Sequence, residues 1–267
     1  MGTEAEVINM KTRKIAIAGI MGALCIVMAL TPIGYIPIGP TKATIIHIPV
    51  IVAAILEGPL VGAIVGLIFG LSSILNALLF PTVTSYVFLN PLVSVVPRIL
   101  VGLVAYLVFA LFKKMKKPLS VTLLTLMLFA IAYYLLNQSI SNFQSGNIFY
   151  AIFNVFLLLV VFGAEIYTIL NYESKNFAVA LSAALATLTN TVLVLTMIGV
   201  FYGGEWVAKL GVEPSMARDF LVGIGVANGI PETVAAVIIG SVVVEALMKL
   251  VYKKNKPIEV PNNLKTE

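Results

Sequence analysis

Two ionisable residues set in apolar surroundings hold most of the chemistry this sequence could do. Arg98 lies in Asn90-Pro91-Leu92-Val93-Ser94-Val95-Val96-Pro97-Arg98-Ile99-Leu100-Val101-Gly102-Leu103, and Glu232 closes Asn228-Gly229-Ile230-Pro231-Glu232. A guanidinium near the centre of a membrane helix costs about 2.5 to 3.5 kcal/mol on insertion scales, so it needs a partner or a watery cavity. Capture of an anion is the default chemistry of such a residue, because the guanidinium offers a planar fork of donors to a carboxylate. Two readings stand side by side. Arg98 contacts a ligand, or it pairs permanently with Glu232 and holds two helices in register.

The surroundings of Arg98 favour an anion. Asn90 is positioned as an N-cap and Pro91 as the first helical residue. Arg98 then lies about 12 Å below the outer end of its helix at 1.5 Å per residue. Pro97 has no N–H for the carbonyl of Val93, which frees a polar group one turn above Arg98. Other polar residues at depth are Asn76, Thr189, Asn190, Thr191 and Asn228, each able to join helices or to contact a ligand. His47, the sole histidine, cannot make a metal site by itself, and is either a ligand contact or a satisfied interfacial side chain. No metal or cofactor is expected. Glu165 and Glu245 lie near inner helix ends and are assigned no chemistry. An intramembrane enzyme would need a convergent nucleophile and base, and the chain carries neither an HExxH motif nor a serine motif beside its histidine.

The elements that position these residues are membrane helices. Hydrophobic residues make up 60% of the chain, charged residues 11%, and mean hydropathy is +1.05. The fold class is therefore an all-α integral membrane protein, a polytopic helical bundle. Apolar runs place spans at about 15–36, 43–57, 60–80, 90–112, 119–136, 148–171, 177–200 and 219–251. The expected organisation is an N-terminal segment 1–14, one transmembrane domain 15–252 and a tail 253–267, with 1–10 and 255–267 polar and poorly ordered. Eight helices put both termini on one side together with the Lys113-Lys114-Met115-Lys116-Lys117 cluster, and the positive-inside rule makes that side cytoplasmic. Lys42, Lys209 and Arg218 then fall outside, so the net charge of +5 reflects topology and not a nucleic-acid surface. The single cysteine, Cys25, excludes an intrachain disulfide and a cysteine metal cluster.

Several of these helices are irregular. The second is short and carries Pro49. Before it, Pro32-Ile33-Gly34-Tyr35-Ile36-Pro37-Ile38-Gly39-Pro40-Thr41-Lys42 alternates Pro or Gly with bulky residues, as either a shaped lid or a tight connection would. Glu57-Gly58-Pro59 is an inner turn. Gly62, Gly66 and Gly70 give the third helix a smooth packing stripe, and Ala18-x-x-x-Gly22 and Gly19-x-x-x-Ala23 give the first helix two small-residue spacings. In the last helix, Pro231 predicts a break beside Glu232.

Taken in order, Gly39 to Val50, Leu56-Glu57-Gly58-Pro59, the glycine stripe, Asn90-Pro91 through Pro97-Arg98, Leu188 to Leu195 and Asn228 to Glu232 resemble the substrate-specific S components of energy-coupling factor transporters. The pantothenate-type branch is the nearest in pattern. The resemblance covers residues 15–112 and 177–251 and implies a six-helix core, to which 119–171 adds an extra hairpin joined by a polar connection at 137–147. It implies a vitamin-binding subunit, with a membrane coupling subunit and two cytoplasmic ATPases as partners; this chain has no Walker A motif of its own. It assigns Arg98 to the vitamin carboxylate, with Asn190, Thr189, Asn90, Asn76 and His47 for its amide and hydroxyls, Tyr35 as a lid residue, and Asn228 and Glu232 in the same site. It assigns coupling-subunit docking to Ala18, Gly22 and Ala23, with internal packing as the alternative. A folate-like or other anionic vitamin, and a stand-alone proton-coupled transporter using Glu232, are the alternatives.

Overall fold

The computed structural model describes residues 4–38, 41–170 and 174–253. Gly39, Pro40 and nearly all of the predicted tail lie outside them. In chain order the elements are α1 (Glu4–Leu30), β1 (Tyr35–Ile38), β2 (Thr41–Thr44), α2 (Ile48–Glu57), α3 (Pro59–Leu79), α4 (Pro91–Ser94), α5 (Val96–Phe112), α6 (Lys117–Gln144), α7 (Ile148–Leu170), α8 (Ser174–Ala208) and α9 (Ala217–Lys253). Six helical stretches among the described residues are long and apolar enough to cross a membrane. The chain is an all-α polytopic membrane protein whose strands form one short antiparallel hairpin.

The chain divides into two compact units, Met1–Leu107 with Ser182–Glu267, and Val108–Leu181. In the first unit α1 packs on α2 and α3, and α2 packs on α3 and α9. Nine of the ten residues of α2 are buried, including Pro49 near its start, as expected of a helix apolar on every side. At 1.5 Å per residue α2 is about 15 Å long, half of a hydrocarbon core. The span expected at 43–57 is thus a half-length internal helix. Its first residues are instead strand and turn, where Tyr35 pairs with Thr44 and Ile36 with Ala43. Pro32 stops α1 at Leu30, short of the predicted 36.

Between α2 and α3, Gly58 takes φ 99°, a conformation that costs a side-chain-bearing residue, and Pro59 starts the next helix. The glycine stripe of α3 meets backbone. A Cβ on Gly66 would overlap the Arg98 carbonyl, one on Gly70 would come 2.7 Å from Val95 Cα, and one on Gly62 would come 3.1 Å from the Gly102 oxygen. The stripe therefore sets how closely the Arg98-bearing helix approaches α3. At the far end of α2, Glu57 is buried and paired side-on with Arg13 of α1, with Nε 2.9 Å from Oε1 and the second nitrogen donating to Oε2 at 3.2 Å.

Three boundaries run past their predicted ends. The N-terminal segment expected to be disordered is helical from Glu4, and α8 extends to Ala208. The last helix continues through Pro231, so the predicted break is absent and Pro231 removes only its own N–H. In the second unit α6 and α7 form the expected hairpin, but 137–144 is helix and not connection, because no breaker interrupts it before Gly146 at φ 74°. Buried Ala132, Leu135, Ala151 and Leu158 make the seam, with Ser139 Oγ donating to the Ala151 carbonyl at 3.1 Å. Phe129, Phe149 and Phe156 are exposed, an apolar surface suited to lipid.

Candidate functional site

Arg98 is buried in the first turn of α5, and its local geometry follows from the prolines before it. Asn90 caps α4 by accepting from Leu92 N at 3.0 Å, with Pro91 as the first helical residue. The helix resets at Val95. The carbonyl of Val93 cannot receive a bond from Pro97, and it accepts one from an Arg98 terminal nitrogen at 2.6 Å. Proline and arginine thus form one device, in which the freed carbonyl orients the guanidinium. The Phe69 and Phe88 rings lie 5.3 and 5.7 Å from the guanidinium carbon and limit water around it. Arg98 Nε is buried with no hydrogen-bond partner among the described residues.

Glu232 is also buried, but it is not the ion-pair partner of Arg98: among the described residues no carboxylate lies within 4 Å of that guanidinium. One Glu232 oxygen accepts from the backbone N–H of Thr44 at 2.7 Å and the other from the Thr191 hydroxyl at 3.1 Å. The carboxylate therefore fastens the β-hairpin to α8 and α9. The two charges still interact electrostatically, and Tyr35 and His47 lie within the field of the same arginine. The permanent-pair reading of Arg98 fails at the level of contact, and Glu232 has hydrogen-bond donors in place of a cation.

Two further polar side chains face this region with atoms unanswered. His47, wholly buried as the residue before α2, contacts Thr187 Oγ1 at 2.9 Å through Nε2, while its Nδ1 has no partner. Asn190, one turn beyond Thr187 on α8, is buried with Oδ1 unpartnered. Thr187, Asn190 and Thr191 share one face of α8 by the i, i+3, i+4 rule. Arg98 Nε, His47 Nδ1 and Asn190 Oδ1 are buried without partners among the described residues, and such atoms call for a ligand or ordered water.

Other sequence candidates are engaged elsewhere. Asn76 donates to the Ala29 carbonyl at 2.7 Å and ties α3 to α1. Asn90 is held by its cap and donates to the Tyr202 hydroxyl at 3.2 Å. Thr189 turns its hydroxyl back to the Leu185 carbonyl at 2.7 Å, since it lies off the Thr187–Asn190–Thr191 face. Asn76 and Asn90 thus link helices, while the Thr189 hydroxyl is engaged within α8 itself. Tyr35 is half-buried and donates to the Ala29 carbonyl at 3.4 Å, and Asn228 is part-buried on α9. Thr187, Thr44, Phe69 and Phe88 were missed; only Thr187 left a signal, its spacing from Asn190 and Thr191.

The two small-residue spacings of α1 separate in space. A Cβ on Gly22 would lie 2.6 Å from Ile68 Cδ1, so Gly22 is buried against α3. Gly19 has open space around it and Ala23 is exposed, with Ala18 between the two environments. A separate groove of about 830 Å³ runs between α8 and α9 from Pro214 and Arg218 down to Thr191 and Gly229. Its walls are largely apolar and only Thr191 touches the polar cluster, so the chemistry lies beside the groove and not in it.

A family model described as "ECF transporter, substrate-specific component" matches residues 13–157, just over half of the chain. Comparison with curated proteins finds no match. The matched stretch includes Tyr35, His47 and Arg98 and ends within α7, so Asn190 and Glu232 lie past it.

Proposed function

We propose that this chain, which belongs to the substrate-specific component family of energy-coupling factor transporters, captures pantothenate from the outer side of the membrane. Members of that family are multi-pass transport subunits and not enzymes; they bind a small molecule and work with the subunits of an energy-coupling module. The observation that carries the ligand reading is the buried guanidinium of Arg98, which is oriented by the Val93 carbonyl and, among the described residues, has no ion-pair partner and no partner for Nε. A vitamin carboxylate would satisfy it. Asn190 and His47 take the amide and hydroxyls, Glu232 braces the hairpin over the site, and Tyr35 belongs to the lid that this hairpin forms. Both termini face the cytoplasm, where a membrane coupling subunit and two ATPases supply the energy for release.

Mass spectrometry of small molecules retained by the purified protein tests the ligand, and titration of D-pantothenate into Arg98→Ala tests the contact. Loss of a charge-assisted hydrogen bond predicts affinity weaker by about 10- to 100-fold. Equal binding by wild type and variant would remove Arg98 from the site. Robust uptake by this chain alone in liposomes would instead favour a stand-alone transporter.

A further inference from the structure

The hydrogen bonds around His47 determine more than its position. Thr187 Oγ1 lies 2.7 Å from the Ala183 carbonyl, one turn back on α8, and 2.9 Å from His47 Nε2. A carbonyl only accepts, so the single hydroxyl proton of Thr187 is committed to Ala183. The contact with His47 must then run the other way, with Nε2–H donating to Oγ1. In the neutral ring this leaves Nδ1 without a proton, as an acceptor. That acceptor is buried and unpartnered, and although His47 occupies the cap position of α2 its side chain makes no capping bond. Asn190 Oδ1, on the same face of α8 as Thr187, is a second buried acceptor without a donor.

We infer that His47, locked by Thr187 as the Nε2–H tautomer, is a specificity-determining acceptor. With Asn190 Oδ1 it selects ligands that carry O–H or N–H donors on the same molecule as the acid group held by Arg98. The inference rests on the ligand site proposed above. It adds a complementarity to that site: donors from Arg98, acceptors from His47 and Asn190. An acid of the same size without donors would leave two buried acceptors unanswered, and a site built to hydrogen-bond its ligand rejects such analogues strongly.

His47 is the sole histidine of the chain, so full-length protein labelled with ring-¹⁵N histidine and purified without a polyhistidine tag reports on this residue alone. The expected spectrum has a protonated Nε2 and an unprotonated Nδ1. Thr187→Ser keeps that state and Thr187→Val releases it. Added D-pantothenate shifts the Nδ1 resonance in the direction of an accepted hydrogen bond. In parallel, wild type should prefer D-pantothenate over its analogue lacking both hydroxyls by at least about tenfold. His47→Leu and Asn190→Leu should narrow that ratio while binding the analogue about as well as wild type does, which a merely structural lesion would not. A proton on Nδ1, or an unchanged ratio in both variants, overturns the inference. If wild type binds no pantothenate, the vitamin assignment falls, and the tautomer alone then decides the role of His47.

Discussion

Arg98 spends one terminal nitrogen on the Val93 carbonyl and leaves Nε without a partner among the described residues, and this arrangement was half legible in the sequence. Pro97 announced a free carbonyl at Val93, but nothing in the spacing said that the arginine one residue later would fold back onto it. Thr187 was harder to find, because a hydroxyl in an apolar helix reads as neutral until a neighbour from another element arrives. The same holds for Arg13 and Glu57, of which the sequence marked only Glu57, as part of a turn. The Glu57 side chain is 1% exposed and Arg13 39%, so removing the arginine strands a buried carboxylate. Arg13→Ala is expected to cost about 1 to 3 kcal/mol, less than a fully buried pair because water reaches the arginine. Thermal unfolding in a fixed detergent measures it, and Arg13→Ala combined with Glu57→Ala should recover part of the loss. Equal melting temperatures for wild type and Arg13→Ala would show that the ion pair contributes nothing.

Helices are where sequence reading succeeded best, since long apolar runs leave the chain few alternatives in lipid. The failures have specific causes. Residues 43–47 lack a strong helix signal against Pro49, so Ala43 and Thr44 pair as strand and 45–47 form the turn into α2, while the polar run 137–144 stays helical because an uncharged Asn/Gln/Ser segment contains no breaker. Pro231 was read as a break, yet a long helix already held by α2 tolerates one missing bond. The stripe on α3 was read as packing, and its partner is the backbone that carries Arg98. Gly66→Ala should therefore act on both stability and binding. A methyl group there has no flexible side chain to displace, only the Arg98 carbonyl, so α5 must move away. The expected cost is about 1 to 3 kcal/mol with a matching loss of pantothenate affinity. Gly19→Ala, which meets open space, serves as the control and should leave both quantities unchanged. If Gly66→Ala binds and melts as wild type does, backbone contact is not what positions Arg98.

At the scale of the whole molecule, a subunit that binds a small molecule but hydrolyses nothing must hand its bound state to partners through a surface. The family assignment supplies the partners, and we propose α1 as the surface that meets them. Ala16, Gly19 and Ala23 are exposed and lie on one face at helical spacing, flanked by exposed Ile15, Ile20 and Val27. A face of this kind lets another helix approach to backbone distance, which bulky residues would prevent. Gly22, the third residue of the sequence-based assignment, is spent on Ile68, so a substitution there would confound docking with folding. Gly19→Leu with Ala23→Leu avoids that problem, because neither position contacts the polar cluster and Gly19 has room for a larger side chain. The double variant should retain wild-type pantothenate binding while its copurification with the coupling subunit falls by on the order of tenfold, about 1.4 kcal/mol. Unchanged complex yield would move the docking surface off α1. Loss of ligand binding as well would mean that this face supports the site and not only the partner.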